Sequence, residues 1–399
     1  MADNLASIEI IREKLGQASA AVREAGADLW LTFVQETSSG AERAFAYISP
    51  GHLTWESLVA VTASGERFLI CGRFDQQVFE ASGLYTEVIT FVQDFREPFE
   101  ALMKRLAPKK IAVNYSLNDS AADGITHGRF LYLQELLRAS APQAEIVSAE
   151  DVIGSLISQK SPREQANVQA AVDHTVAILA ALSDYLRVGM TERQVFDWVN
   201  ARIAERGLTP SFSTLVFAGD RGAGMGHGEA TDNPIQAGDL VHVDMGVTVN
   251  GYVSDMQRTW YARKSGEDAA PEPVMKGFGT IVRAIEESGK ALKPGVRGTD
   301  VDAVSRGIVT AAGYPEYPHA LGHQVGRHAH DGGGLLGPAW PRYKNTVFQP
   351  VKENQIYTLE PSLNVPGFGA VGIEEDVLVG ADGIRTFAPF QQEIWYIKG

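Results

Sequence analysis

The sequence is poor in cysteine, in basic charge and in long apolar runs. One cysteine among 399 residues excludes an internal disulfide and a zinc cluster built from thiolates. The 35 basic residues stand against 49 acidic ones, and the formal charge of −14 argues against nucleic acid or an anionic membrane as a partner. No apolar run is long enough for a membrane span, and no signal-peptide pattern opens the chain. We therefore expect a cytoplasmic globular protein.

Residues 1–155 predict a small α/β domain. Apolar residues at helical spacing begin at Ile8, and a buried strand is predicted over Leu29–Val34. Further strands alternate with helical stretches near 97–106 and 127–138, which is typical of an α/β fold. No catalytic constellation is found here, and Cys71 is expected to be a buried small hydrophobe.

Residues 156–399 predict a second domain built from a repeated unit. Ser161–Glu164 combines an N-cap, a proline at the first helical position and a capping glutamate, so a long helix to about Leu186 should follow. The pattern of helix, helix and hairpin then occurs again after Leu292. Two such halves packed about a pseudo-twofold axis would leave a site between them; a chance recurrence of common capping signals is the alternative.

The first acidic hairpin is predicted from a period of two. Leu240–Val249 alternates apolar and polar residues and is followed by Asn-Gly, the strongest two-residue hairpin signal. That turn pairs Gly246 with Asp255 and makes Asp244 and Asp255 diagonal neighbours on one face, about 7 Å apart or less at Cβ. Two carboxylates so close inside an apolar sheet repel and lose hydration, and a cation between them removes both costs. A solvated face with two unrelated aspartates is the alternative.

A second pair of strands is predicted over Ile356–Leu363 and Ala370–Val379. Each strand carries a glutamate among apolar residues, Glu360 in the first and Glu374 in the second, and both side chains can share a face. Glu375 has the opposite parity, so we expect it to point away from Glu374, to support the ligands or to be solvated.

Histidines are concentrated in one stretch. Four of the nine histidines fall within twelve residues, a density that surface decoration does not explain: His319, His323, His328 and His330. His227 stands in a glycine-rich segment, residues 224–228, where backbone freedom lets an imidazole approach a ligand closely.

Two aspartates, two glutamates and a histidine make a mostly oxygen ligand set. Such a set suits a pair of Mn²⁺, Co²⁺, Zn²⁺ or Fe²⁺ ions that share bridging carboxylates. Two ions about 3.5–4 Å apart can deprotonate a bridging water and polarise a carbonyl. This is the chemistry of a hydrolase.

The chain resembles the pita-bread metallopeptidases, and among them the prolidase and aminopeptidase P branch. The resemblance covers nearly the whole chain and is strongest at residues 238–246, 319–331, 360–361 and 372–379. It implies a creatinase-like α/β domain over 1–155, followed by an α+β pita-bread catalytic domain with a pseudo-twofold repeat over 156–399. It also implies five metal ligands, which match in order and context: Asp244, Asp255, His323, Glu360 and Glu374.

The same resemblance implies how the ligands divide. Asp244 would chelate one ion, and Asp255 and Glu374 would bridge both. His323 and Glu360 would hold the other ion, and Glu360 would also manage the proton of the attacking water.

Three histidines are implied to lie at the substrate. His227 would stabilise the tetrahedral intermediate beside the scissile carbonyl, His330 would donate a hydrogen bond to the substrate, and His319 would line the pocket on the proline side. His242 and His328 match no role in the family, and we expect them to be structural or to support the ligands.

The sequence departs from the family pattern at two single positions. Ser213 stands where many members have Tyr, and Gly372 stands where many have Arg. The loss of both suggests that a linked polar pair has been replaced together, which would alter proton handling or substrate placement.

The third departure is a long stretch between His330 and Glu360. We hypothesise that residues 335–350 form a specificity loop beside the site, with Arg342 or Arg327 available for a substrate carboxylate. A surface insertion without a role in binding is the alternative.

The predicted function is a two-metal Xaa-Pro dipeptidase that uses a hydroxide bridging the ions to cleave the bond before a C-terminal proline. Two divalent ions per subunit are expected, with manganese ahead of cobalt or zinc, and the substrate is a dipeptide or small amide. Aminopeptidase P and an ectoine-type amide hydrolase are alternatives on the same fold. A catalytically inactive binding module is the alternative of another class, and the retained ligands disfavour it. The family also predicts a homodimer.

Overall fold

A computed structural model describes residues 7–40, 42–220 and 228–397. The chain divides into two compact units, Met1–Ser161 and Pro162–Gly399. The predicted boundary between residues 155 and 156 falls inside the helix Glu150–Ser158. That helix belongs to the first unit because Lys14 Nζ, on the chain's first helix, donates to the carbonyl of Leu156 at 2.7 Å, so the boundary lies six residues later.

The first unit is an α/β domain, as predicted. Its helices are α1 Ile8–Glu24, α2 Phe45–Ile48, α3 Gln76–Ser82, α4 Arg96–Leu106, α5 His127–Ser140 and α6 Glu150–Ser158. Its strands are β1 Leu29–Val34, β2 Ser57–Thr62, β3 Arg67–Gly72, β4 Glu87–Phe91, β5 Lys110–Val113 and β6 Glu145–Ser148. They form one sheet in the order β4-β3-β2-β1-β5-β6, in which only β2 runs antiparallel to its neighbours.

The thiol of Cys71 lies inside this sheet, as predicted. Its side chain is fully buried on β3, and burial raises the pKa of the thiol to about 12. A thiol that stays protonated at neutral pH is a poor nucleophile, so Cys71 contributes packing and no chemistry.

The second unit repeats the pattern of two helices followed by strands, as predicted. Its helices are α7 Pro162–Tyr185, α8 Glu192–Glu205, α9 Glu272–Ala291 and α10 Gly298–Ala311. The strands after α8 are β7 Thr209–Pro210, β8 Leu215–Ala218, β9 Leu240–Met245, β10 Val247–Val249, β11 Tyr252–Val253 and β12 Met256–Ala262. Those after α10 are β13 Ile356–Leu359, β14 Ser362–Val365, β15 Gly369–Gly372, β16 Glu375–Val379, β17 Ile384–Thr386 and β18 Trp395–Ile397.

Each half contributes one long hairpin that is interrupted in the middle. The first hairpin spans β9 to β12, and its arms join two sheets of order β18-β12-β9-β8 and β11-β10-β7. The second spans β13 to β16, with β13 paired to β16 and β14 paired to β15. Apolar residues from α9, α10 and the second hairpin form one buried core. The second hairpin therefore packs its apolar residues against α9 and α10.

None of the helices in the described part of the chain combines the length and apolar character that a membrane span needs.

We predict that Gly246→Ala destabilises the second unit by about 2 kcal/mol or more, because overpacking against the backbone is costly. A Cβ at Gly246 would lie 1.9 Å from the carbonyl oxygen of Ser254, across the interruption of the first hairpin. The matched control is Gly279→Ala, at an exposed position of α9 where nothing lies within 4 Å. It should stabilise by about 0.5–1 kcal/mol. Urea unfolding measures both, and equal effects of the two substitutions would contradict the prediction.

Candidate metal centre

The first two predicted ligands lie on the first hairpin. Asp244, on β9, pairs directly with Gln257 on β12, and the same register places Asp255 opposite Gly246 in the gap between β11 and β12. This register, predicted from the Asn-Gly turn, is confirmed. In this register Asp244 and Asp255 lie on the same face of the hairpin.

The two glutamates lie on the second hairpin, where both strands break. The predicted strands Ile356–Leu363 and Ala370–Val379 are each interrupted, at residues 360–361 and 373–374. Leu359 pairs with Glu375 below the break and Ser362 pairs with Gly372 above it, which puts Glu360 directly opposite Glu374. Acids at a break leave the regular ladder and can turn toward a common point.

A backbone bridge joins the two hairpins beside these acids. Gln257 pairs with Glu374 in an isolated antiparallel bridge, and the Glu374 N–H donates to the carbonyl of Gln257 at 3.2 Å. This link holds the ligands of one half against those of the other.

His323 is positioned by the edge of β13. Thr358 N–H donates to the carbonyl of His323 at 2.9 Å, and the His323 N–H donates to Thr358 Oγ1 at 3.1 Å. Only glycine fits at the preceding residue, because a Cβ on Gly322 would lie 2.0 Å from the carbonyl oxygen of Thr358. The close approach brings the imidazole over the acids.

The His323 ring faces three of the four acids. Its Nε2 lies 3.3 Å from Glu360 Oε1, 3.7 Å from Asp255 Oδ2 and 3.9 Å from Glu374 Oε1. One ligand atom each from Asp255, His323 and Glu374 lie within 4.8 Å of one another. Burial, and then the charge of His330, lowers the pKa of His323 to about 3, so the imidazole is neutral, the form that binds metals.

The four acids share one small buried volume at a large electrostatic cost. Burial raises the pKa of Asp244 to about 7. Burial, and then the charge of Asp244, raises the pKa of both Asp255 and Glu360 well above the ordinary range. Burial, and then the charge of Asp255, does the same to the pKa of Glu374. Protons or cations must neutralise such a cluster.

The candidate ligand atoms fit divalent cations. Asp244 Oδ1 and both carboxylate oxygens of Glu374 are buried and have no hydrogen-bond partner within residues 7–40, 42–220 and 228–397. Buried oxygens without donors are rare in folded proteins, and a cation satisfies them where no N–H or O–H does. The remaining ligand atoms come from Asp255, Glu360 and the neutral His323, a set that Mn²⁺, Co²⁺ or Zn²⁺ accepts.

Three charged residues support this centre: Arg258, Glu375 and Asp376. The sequence predicts no role for Arg258 or Asp376 and leaves two possibilities open for Glu375. Glu375 is not solvated: its Oε2 pairs with Arg258 Nη2 at 3.0 Å, with both side chains buried. Asp376 Oδ2 accepts the backbone N–H of Asp255 at 3.0 Å. The sequence feature that could have indicated these contacts is the run of three acids beginning at Glu374 within an apolar strand. Buried acids in such a run need partners.

The histidines lie at different distances from the acids. The His330 ring meets the His323 ring edge-on, with centroids 4.3 Å apart. His319 Nε2 lies 2.8 Å from Ser362 Oγ. His242 is buried one row behind Asp244, where burial lowers its pKa to about 4. His227 lies outside the described residues, and the role of His328 stays a prediction.

The two arginines predicted for a substrate carboxylate differ in their surroundings. Arg327 is 4% exposed, and its guanidinium stacks over the Tyr252 ring at 5.4 Å. Arg342 is exposed, and its guanidinium lies 4.7 Å from the Trp340 ring centroid and 4.8 Å from the Tyr343 ring centroid. The two rings stack on each other, with centroids 5.8 Å apart.

The 335–350 segment carries Arg342 and contacts the histidine segment. Leu336 and Gly322 exchange two backbone hydrogen bonds, of 2.9 and 3.1 Å. The Arg342 guanidinium donates to the carbonyl of Pro318, one residue before His319. The segment therefore lies beside the residues that lead to the ligand His323.

The two single departures from the family pattern have different environments. Ser213 is exposed. Gly372 is buried in β15, where its carbonyl accepts the Thr259 hydroxyl at 2.7 Å.

For the metal-free protein we predict an unfolding free energy that falls as the pH rises from about 5 to about 8. The acids have raised pKa values in the native state, so the native state holds more protons than the unfolded state in this range, and stability decreases with pH. Urea unfolding after EDTA treatment measures the slope. Asp244→Asn removes one titrating group and should flatten it; an unchanged slope in that variant would contradict the assignment.

The comparisons with known proteins agree with this geometry. Residues 166–381 match the model of metallopeptidase family M24. An uncharacterised peptidase of Staphylococcus saprophyticus is 30% identical over 87% of this chain and 91% of its own length. The Xaa-Pro dipeptidase of Pyrococcus horikoshii is 28% identical over 65% of this chain and 71% of its own length. The structure of an Xaa-Pro dipeptidase from Bacillus anthracis superimposes with a TM-score of 0.74 at 22% identity, covering 97% of this chain and 99% of that one.

The family match spans both hairpins and the histidine segment between them, so it includes every described candidate ligand. The chain belongs to metallopeptidase family M24 and is a metal-dependent peptidase with the pita-bread fold.

Proposed function

We propose that the chain is a dinuclear Xaa-Pro dipeptidase, which cleaves the imide bond before a C-terminal proline. The observation that carries the proposal is a group of buried carboxylate oxygens to which no described residue donates a hydrogen bond, Asp244 Oδ1 and both oxygens of Glu374. They lie beside the neutral imidazole of His323. The relative from Pyrococcus horikoshii that is named Xaa-Pro dipeptidase supports the choice of substrate.

Five residues would hold the two ions. Asp244 would bind one ion, His323 and Glu360 would bind the other, and Asp255 and Glu374 would bind both. Manganese is the proposed metal because oxygen ligands dominate, with cobalt and zinc as alternatives that the same set permits. When bound, the ions supply a Lewis acid for the scissile carbonyl and lower the pKa of the attacking water.

Glu360 would move the proton in this proposal. Burial and the charge of Asp244 raise the pKa of its carboxyl, and Thr358 Oγ1 lies 3.4 Å from its Oε1. A carboxylate held beside the attacking water can accept its proton and release that proton in a later step. Glu360 can therefore take the proton of the attacking water and deliver it to the leaving imide nitrogen.

The histidines would bind the substrate around this proton transfer. His330, edge-on to His323 at 4.3 Å, would donate a hydrogen bond to the substrate. His319, fixed by Ser362, would line the pocket on the proline side. His227 would stabilise the oxyanion of the tetrahedral intermediate; this role rests on the family resemblance alone.

An arginine beside the histidine segment would select substrates by length, because it would bind the C-terminal carboxylate of a dipeptide. Arg342 is the better candidate, because it is exposed while Arg327 is buried against Tyr252. Contacts with the Trp340 and Tyr343 rings restrict the Arg342 guanidinium, and a restricted guanidinium loses less entropy when it binds a carboxylate. Residues 335–350 would then form the specificity loop.

The homodimer and the cytoplasmic location stay predictions of the family resemblance and the composition.

The proposal predicts that protein reconstituted with Mn²⁺ cleaves Ala-Pro, while Ala-Ala, creatine and an ectoine-type amide are left intact. Ala-prolinamide lacks the carboxylate and should be cleaved more slowly if Arg342 reads that group. Asp255→Asn should lower kcat/KM for Ala-Pro by about 100-fold or more, since losing even a residue that only supports a ligand costs about 10–100-fold. Stopped assays of proline release measure all of these.

The matched control is Asp382→Asn, in the exposed turn between β16 and β17, which should leave kcat/KM unchanged. Cleavage of Ala-Pro-Ala as well as Ala-Pro would move the assignment to an aminopeptidase P. Bound metal without cleavage of any proline peptide would sink the dipeptidase assignment. Protein that retains no metal and cleaves nothing would favour the inactive binding module.

A further inference from the structure

Gln257 faces Asp244 across the first hairpin. The two residues are direct partners in the pairing of β9 with β12, so their side chains emerge on the same face. Gln257 is 6% exposed. Its position opposite a candidate ligand, inside the protein, makes its side-chain amide part of that ligand's surroundings.

The orientation of the Gln257 amide follows from the chemistry of its partner. Nε2 lies 3.3 Å from Asp244 Oδ2, and a carboxylate accepts hydrogen bonds but cannot donate them once ionised. The reversed amide would set Oε1 against a carboxylate oxygen. Oδ2 of Asp244 thus accepts a hydrogen bond from Gln257, while Oδ1 has no hydrogen-bond partner among the described residues.

The backbone of Gln257 is fixed from two sides. Its carbonyl accepts the Glu374 N–H at 3.2 Å and Arg258 Nη1 at 2.8 Å. Arg258 is held in turn by its buried ion pair with Glu375 at 3.0 Å. The backbone from which the Gln257 side chain reaches Asp244 is therefore tied to the second hairpin.

The other end of the amide argues against a purely structural role. Gln257 Oε1 is buried and has no hydrogen-bond partner among the described residues. An unsatisfied buried acceptor costs about 1–3 kcal/mol, which an apolar residue of the same length would avoid.

We propose that Gln257 is a positioning residue that fixes the orientation of the Asp244 carboxylate toward the ion that Asp244 would bind. The inference rests on the proposed dinuclear centre. A hydrogen bond to a metal-ligating carboxylate fixes its orientation, and removing such support typically lowers metal affinity by about 10–100-fold. Among the described residues, the Gln257 side-chain amide hydrogen-bonds to Asp244 and to none of the other candidate ligands. We therefore expect Gln257 to affect the binding of one of the two ions.

The test is a Mn²⁺ titration of EDTA-stripped protein by calorimetry, for wild type and Gln257→Met. Methionine keeps the length of the side chain and removes the donor. We expect wild type to bind two ions and Gln257→Met to bind one of them about 10–100-fold more weakly, with the other Kd unchanged. Electron paramagnetic resonance should show the same loss, because one equivalent of unpaired Mn²⁺ gives a mononuclear six-line signal in place of an exchange-coupled pair.

Gln391→Met is the matched control. Gln391 is also a buried glutamine, and its side chain makes three hydrogen bonds in the same sheet, to both backbone groups of Thr259 and to the carbonyl of Glu393. Its side-chain amide touches no candidate ligand. We expect a lower melting temperature and unchanged Mn²⁺ affinities, which separates a loss of stability from a loss of positioning.

Gln257→Asn is the second variant, in case methionine prevents folding. It keeps the amide but ends one methylene short of Asp244, and it should show the same selective loss of affinity. Unchanged affinities in folded Gln257→Met or Gln257→Asn, or equal losses in Gln391→Met, would overturn the inference. A wild-type protein that binds a single ion would count against the dinuclear proposal instead, and the effect of Gln257→Met on that one Kd would still decide the role of Gln257.

Discussion

The structure of the second unit depends on keeping four carboxylates together inside a protein interior. Burial and mutual repulsion both raise their pKa values, so the fold without cations holds protons there that it would otherwise release. The strand breaks explain how the acids meet: Asp255, Glu360 and Glu374 all lie at interruptions of the two hairpins. A divalent ion is the partner that turns this repulsion into a stabilising interaction.

The groups around the acids prepare them for an ion without neutralising them. Arg258 pairs with Glu375, on the opposite face of β16 from Glu374, and Asp376 accepts the backbone N–H of Asp255. These contacts fix the backbone of the ligands, while several ligand oxygens receive no hydrogen bond from the part of the chain that the structure describes. An arrangement that orients carboxylates and leaves their oxygens unsatisfied is the one expected for a metal centre.

Much of this centre could be predicted from local sequence because a period of two and an Asn-Gly turn set the register of the first hairpin. The local sequence alone therefore predicts that Asp244 and Asp255 share one face. The breaks at Glu360 and Glu374 could not be predicted, since nothing in the local pattern distinguishes an interrupted strand from a continuous one. The pairing of Arg258 with Glu375 joins residues 117 positions apart, and Gln257 carries no signal of its own until its cross-strand partner is known.

The central claim to test is that two ions bind between the hairpins. Anomalous diffraction from crystals grown with Mn²⁺, recorded above and below the manganese absorption edge, locates such ions without assumptions about activity. We expect two anomalous-difference peaks about 3.5–4 Å apart. The carboxylates of Asp255 and Glu374 should lie between the two peaks, and the His323 imidazole should lie next to only one of them. A single peak, or peaks away from these side chains, would contradict it.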